Sequence, residues 1–262
     1  MRIGFRLARI LSTAAVIGVC ALASVSAARA QGSVDDDARR VLSSLSSYLG
    51  GLQRFSVEYA AVDEVITEQG QKLQFLHSGS LTAQRPDRLH AVRRGASGTS
   101  EVFLNGRELF LFGRDAQAYL QLPATGIAAA IDAVHGLGFD APGADLLVAR
   151  PFDSAIIDVT SGTHVGMTVI DGVEVHHLAF RGAEVDWQIW VTTGDRPLPV
   201  RYVITSKTVA GAPQYTLQLR NWNVAPQVDA GQFNFVPPQG ARRLDPASVT
   251  VNAIGDMIIR TQ

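Results

Sequence analysis

The chain of 262 residues has one cysteine, Cys20. It lies in an N-terminal stretch that does not belong to the fold. Without that stretch there is no cysteine, which excludes disulfides, a thiolate nucleophile and cysteine-ligated metal. Basic charge is not in surplus either: 23 Lys and Arg stand against 24 Asp and Glu, for a net charge of −1. Residues 1–30 hold Arg2, Arg6, Arg9 and Arg29 and no acid, so their removal takes the net charge to −5. A mildly acidic domain does not suit nucleic acid, whose phosphates need a basic footprint. It suits tight binding to anionic membrane surfaces no better.

Other absences bear on chemistry. The glycines fall at turns, so there is no Gly-rich phosphate loop. No serine sits in a Gly-x-Ser-x-Gly elbow, and Ser161 and His164 are too close in the chain to build a nucleophile–base–orienter relay. His176 and His177 are adjacent, so on a strand they point to opposite faces and cannot share a metal. His77, His90 and His164 each stand alone in a strand pattern. No catalytic set, metal site or cofactor motif emerges, and the chain reads as a non-enzyme.

What is present first is an address. Arg2, Arg6 and Arg9 make a basic start, residues 10–25 are an apolar run, and Ala28-Arg29-Ala30 is a small-x-small cleavage site. That order is a secretory signal peptide over 1–30. The run is shorter than the roughly 20 residues of a membrane span, so the mature chain is expected to have no transmembrane segment. The leader has no Arg-Arg pair, which points to the general secretory route. Val19 before Cys20 is a poor match to a lipidation site, so a soluble periplasmic protein is expected rather than a lipoprotein.

The rest divides into 31–244, read as one domain, and a tail, 245–262, carrying Val249, Val251, Ile254, Met257 and Ile258 and read as a small helix. Asp35-Asp36-Asp37 places carboxylates at the positive end of a helix; Val41, Leu42, Leu45, Tyr48 and Leu49 follow at helical spacing, and Gly50-Gly51 ends it. Period-two alternation then marks about six strands between Phe55 and Leu122, with Asn105-Gly106 as a hairpin turn. Residues 126–137 switch to helical spacing, with Ile127, Ile131 and Val134 on one face. Residues 144–148 and 151–159 read as further short helical pieces carrying Leu146, Leu147, Phe152, Ile156 and Ile157. Strands resume at His164. Val165, Met167 and Val169 alternate, Asp171-Gly172 turns, and residues 175–181 return. Residues 185–206 then form two strands around a Pro197-Leu198-Pro199 turn. Val185, Trp187, Ile189 and Val191 share one face of the first strand. Val200, Tyr202 and Ile204 share one face of the second. Trp190 breaks the polar face as a rim or packing residue. A phase shift at Trp222 and Val224 suggests a bulge.

About eleven strands joined by short turns make an antiparallel sheet, and one apolar face per strand predicts a sheet covered on one side. A sheet this wide must curl.

The stretches WQIWVTTGDRPLPVRYVI (187–204) and FNFVPPQGA (233–241) resemble the periplasmic proteins of domain of unknown function family 2092. Trp190, Pro197, Leu198, Pro199, Arg201, Phe233, Phe235, Pro237, Pro238 and Gly240 carry the resemblance, which spans residues 35–241. That group is similar in plan to LolA-type lipoprotein carriers. The resemblance therefore implies an α+β, mostly β fold: a strongly curved antiparallel half-barrel with an N-terminal helix and a helical lid in its concavity. It implies no catalytic residue. By analogy it implies an apolar ligand: a lipid, an acyl chain or a lipoprotein. The residues expected to line such a site are Trp187, Ile189, Val191 and Tyr202 on the sheet and Ile127, Ile131, Val134, Leu146, Leu147 and Ile156 on the lid. The alternative is a non-catalytic module that binds an envelope protein partner and whose cavity is filled by its own lid.

Overall fold

The acidic triplet opens a helix as predicted. Asp35 Oδ1 accepts the backbone N–H of Ala38 at 2.6 Å, and α1 runs Asp36–Gly51 with Ala38, Leu42, Leu45 and Leu49 buried. The structure is a computed structural model that describes residues 33–153, 156–251 and 257–259. The expected leader, with Cys20 and its cleavage site, lies outside the described residues.

The first meander is β1 (Arg54–Ile66), β2 (Lys72–Gln84), β3 (Arg88–Gly95), β4 (Gly98–Asn105), β5 (Glu108–Gly113) and β6 (Ala118–Pro123). Helix α2 (Ile127–Gly136) and a 3₁₀ turn (Ala144–Leu147) interrupt the strands. The second run is β7 (Val159–Ile170), β8 (Val173–Gly182), β9 (Val185–Thr192), β10 (Pro199–Ser206) and β11 (Gln214–Asn223). A two-residue strand, β12 (Arg242–Arg243), adds parallel to β6. Together they form one curved, unclosed sheet in the order β12-β6-β5-β4-β3-β2-β1-β11-β10-β9-β8-β7. The two meanders join where β1 pairs antiparallel with β11.

Local signals set this register. Asp171 and Gly172 both take positive φ, 50° and 80°, and link Ile170 to Val173 in a two-residue turn whose twist matches the strands. The bulge expected near Trp222 is present: Asn221 adopts φ 53°, and the β1–β11 register slips between Ser56 and Glu58.

Both helices pack on one face of the sheet. Under α1 lie Val57, Ala61, Leu178, Phe180, Trp187, Ile189, Val191, Tyr202, Leu217 and Leu219. Under α2 lie Phe55, Ala83, Leu89, Leu104, Leu109, Leu111 and Leu120.

Four expectations need correction. The sheet is not covered on one side only. At its β4–β6 end the opposite face holds Phe103, Phe110, Phe112 and Tyr119, and the chain after β11 returns to set Phe235 among them, with ring centroids 5.2–5.4 Å apart. The unbroken Leu109-Phe110-Leu111-Phe112 run of β5 is the pattern of a strand buried on both faces. At the other end, Val165, Met167 and Val169 are 54–64% exposed, so their alternation marks no buried face. The described residues of 151–159 form no helix: Phe152 takes φ 68°, outside the right-handed helical region, and Val159 already begins β7. The tail forms no α-helix in its described part, only a 3₁₀ turn at Pro246–Ser248. Val249–Val251 and Met257–Ile259 pair antiparallel as β13 and β14, in keeping with the period-two placing of Val249 and Val251.

Candidate functional site

On the helix-covered face, β9 and β10 bring Trp187 and Tyr202 together, with ring centroids 5.9 Å apart at 90°. Phe180 from β8 stacks on Trp187 at 4.0 Å, and Phe152 lies nearly parallel to the same indole at 5.8 Å. Trp187 is 2% exposed, and Ile189 and Val191 beside it are fully buried. The left-handed turn at Phe152 is what aims that ring inward.

One carboxyl group enters this apolar cage. Asp145, on the 3₁₀ turn, accepts a hydrogen bond from the Tyr202 hydroxyl at 3.3 Å. Burial pushes its carboxyl up to about 6, and the bonds from Tyr202 and from the backbone N–H groups of Asp145 and Leu146 only partly oppose that. Burial and the neighbouring carboxylate hold the Tyr202 phenol well above its ordinary value.

The same 3₁₀ turn is tied to α1 by Arg85. Its guanidinium donates to the carbonyls of Leu49 and Leu52 at 2.7 Å, and to those of Leu147 and Val148 at 2.9 Å, with longer bonds to Gly50 and Leu146. One side chain thus satisfies the last carbonyls of a helix and of the lid segment together. No carboxylate is among these partners, and burial lowers the Arg85 pKa. Gly50 allows the contact: a Cβ there would lie 2.3 Å from the Ala149 carbonyl oxygen.

The ten expected lining residues therefore fall into two groups. Trp187, Ile189, Val191, Tyr202, Leu146 and Ile156 belong to the cluster under α1. Ile127, Ile131, Val134 and Leu147 belong to the cluster under α2. The two groups meet at the 3₁₀ turn, where Leu146 faces one and Leu147 the other. Ile127 is buried, whereas Ile131, Val134, Leu147 and Ile156 are half-buried. Helix α2 is also the less firmly held: Gly126 precedes it without a side-chain cap, whereas Asp35 caps α1.

Sequence reasoning missed Asp145, Phe180 and Arg85 as parts of this region. It also treated three histidines as solitary, and all have cross-strand partners. His90 bonds Glu101 at 3.0 Å, His164 bonds His176 at 3.1 Å, and His77 lies 3.8 Å from Asp63. Glu101 is almost fully buried. Burial works to raise its pKa, but hydrogen bonds from His90 and Arg114 outweigh it and hold the carboxyl below its ordinary value. His176 and His177 do point apart, His177 stacking on Trp190 at 4.2 Å. Among the described residues no group of three or more His, Cys, Asp and Glu could hold a metal ion.

Two adjoining cavities, about 470 and 370 Å³, open on the opposite face of the sheet and share Ala60, Ser78 and Arg94.

Among solved structures, the chain is similar to an uncharacterised conserved protein from Thermus thermophilus at 11% identity, covering 79% of this chain and 98% of that one, with a TM-score of 0.48. It is similar to LprF from Mycobacterium bovis at 16% identity, covering 80% and 100%, with a TM-score of 0.48. It is similar to a LolA superfamily protein from Nitrosomonas europaea at 13% identity, covering 76% and 97%, with a TM-score of 0.39. No curated protein matches the chain by sequence. No helix among the described residues is long and apolar enough to cross a membrane. The family described as "Predicted periplasmic protein (DUF2092)" matches residues 38–245, most of the chain, and the protein is therefore a periplasmic member of that family.

Proposed function

We propose that the protein, after loss of a leader over 1–30, binds or carries an apolar ligand, a lipid or acyl chain, on the α2 side of the helix-covered face. The observation that supports this reading is the unequal cover of that face. Helix α1 buries Ala38, Leu42, Leu45 and Leu49, against only Ile127 and Ala130 for α2, and Arg85 fastens the adjoining turn. Under α2 an apolar floor of Leu89, Leu104, Leu109, Leu111 and Leu120 is closed by an uncapped helix whose Ile131 and Val134, with Leu137 and Phe139 beyond them, are only half-buried. Each of those side chains forfeits part of the roughly 1.5–3 kcal/mol that full burial would contribute. A sixteen-carbon chain gains on the order of 12 kcal/mol at about 0.8 kcal/mol per methylene, which exceeds what the four half-buried side chains and the buried Ile127 and Ala130 lose on release. The ligand would thus replace the helix, with the sheet and α1 unchanged.

Hydrogen exchange with and without added palmitate, combined with native mass spectrometry of the protein from its own periplasm, tests this. Altered protection confined to α2 and the β3–β6 floor, with a co-purifying lipid, supports the carrier. An unchanged exchange map and no lipid favour the second reading, a non-catalytic envelope interaction module. The observation on its side is that both cavities open on the face away from the helices.

A further inference from the structure

The face away from the helices carries a row of residues that the apolar-ligand reading does not use. Cross-strand register places Arg94 (β3), Ser78 (β2), Ala60 (β1), Gln218 (β11) and Arg201 (β10) directly opposite one another in sequence across five strands. Side chains in such a row share one face. Two arginines end the row, and the small Ser78 and Ala60, with the amide of Gln218, lie between them. Four strand spacings, about 19 Å, separate the two arginine backbones, and both side chains line the 470 Å³ cavity.

The surroundings leave these two cations uncompensated. The acids nearby are already engaged: Glu64 accepts from Lys72, Gln74 and the backbone N–H of Gln214, and Glu58 accepts from Asn221. Arg220 at the rim is paired with Asp171 at 3.2 Å. That pair also bounds the groove. Asp171 is the tip of the β7–β8 hairpin, and it reaches both Arg220 and Gln218 on β11, so the hairpin curls over this face. Among the described residues, by contrast, Arg94 has no carboxylate partner, and Arg201 only overlies the Trp190 ring at 5.7 Å.

We propose that this groove binds an extended acidic peptide segment, with one carboxylate at Arg94, another at Arg201, and the peptide backbone over Ser78, Ala60 and Gln218. Charge complementarity requires the two anionic groups, since guanidinium forks match carboxylates bidentately. The floor leaves room for a main chain, and the amide of Gln218, with one N–H already given to Asp171, keeps its second N–H and its oxygen for it. A sugar chain fits less well, because sugars favour an open aromatic face. The one indole beside the groove, Trp190, has His177 stacked on one side and Arg201 on the other. This site lies across the sheet from the apolar floor, so the two readings stand or fall separately.

Calorimetric titration of the exported protein with a blocked five-residue peptide, glutamate at both ends and alanine between, tests the assignment. Saturable binding that weakens with added salt is expected, with none for the same peptide ending in glutamine. Arg94→Gln and Arg201→Gln should each weaken binding about tenfold, Arg201→Lys less, and none should move the urea midpoint appreciably, because both side chains are solvent-accessible. No saturable binding at millimolar peptide, or equal binding by both variants, overturns the proposal. Binding of digalacturonate in place of the peptide also overturns it.

Discussion

Replacing Asp145 with Asn isolates the one carboxyl group in the aromatic cage. The folded carboxyl has a pKa of about 6 against an ordinary 3.8, with burial as the main cause. Between those values the folded protein keeps a proton that the unfolded chain releases. Its contribution to stability is therefore complete below about pH 4 and is lost as pH rises through about 6. A displacement of roughly two units corresponds to about 3 kcal/mol at neutral pH, a sizeable fraction of a domain's 5–15 kcal/mol. Asn keeps an acceptor for the Tyr202 hydroxyl but cannot ionise. It also brings a buried amide group whose unmet bonds cost about 1–3 kcal/mol at every pH, so the absolute change is ambiguous and the slope is not. Urea unfolding of both proteins at half-unit steps from pH 4.5 to 8 should show the variant gaining about 2 kcal/mol relative to wild type across that range, since about a third of the full difference is already lost by pH 4.5. Glu101 and Glu64 give an opposing acid-side slope, but they are common to both proteins and cancel. A stability difference that stays constant with pH would mean that Asp145 titrates normally, and the cage would then have to be wetter than its packing indicates.

Three other outcomes follow from the packing. Trp187→Ala should lower stability by about 3–5 kcal/mol and Trp190→Ala by clearly less, read as urea midpoints; equal losses would contradict the half-open environment of Trp190. Arg85→Met should cost about 3–5 kcal/mol by stranding the carbonyls it serves, and Arg85→Lys should recover only part, since a single ammonium cannot serve both α1 and the 3₁₀ turn; full recovery by Lys would reduce the tie to simple charge. Intact-mass measurement of the exported protein should give a chain beginning at Gln31, and a species keeping Met1 or acylated on Cys20 would overturn the expected leader.

What could be read in the chain was local. The acidic triplet at the start of α1, the Asp171-Gly172 turn, the bulge near Trp222 and the buried stripe of β9 each depend on neighbours within a few residues. What could not be read depends on distance. Arg85-Pro86-Asp87 looks like a break between strands, and nothing near it announces that the guanidinium will meet Leu147, 62 residues on. Asp145 sits in an unremarkable Ala-Asp-Leu-Leu piece until Tyr202 covers it. Phe235 was visible as part of a family pattern, but its place among Phe103, Phe110 and Phe112 requires knowing that β5 has two buried faces. The paired arginines are hidden for the same reason: Arg94 and Arg201 share a row only after four strand pairings are fixed.

The sheet order also has a consequence for how the chain comes together. The first strand made, β1, ends up in the middle of the sheet, with β2 on one side and β11 on the other. Its pairing with β2 is a hairpin and can close early. Its pairing with β11 joins residues such as Ala61 and Leu217 and cannot begin until almost the whole domain has emerged. Long-range pairings of this kind slow folding, because the entropy of closing the intervening loop is lost before any contact repays it. Until then the β1–β6 meander has an unprotected thirteen-residue edge, a template for unwanted pairing with another chain. Conditions that delay β11 should therefore produce aggregation through β1 rather than a stable half-domain.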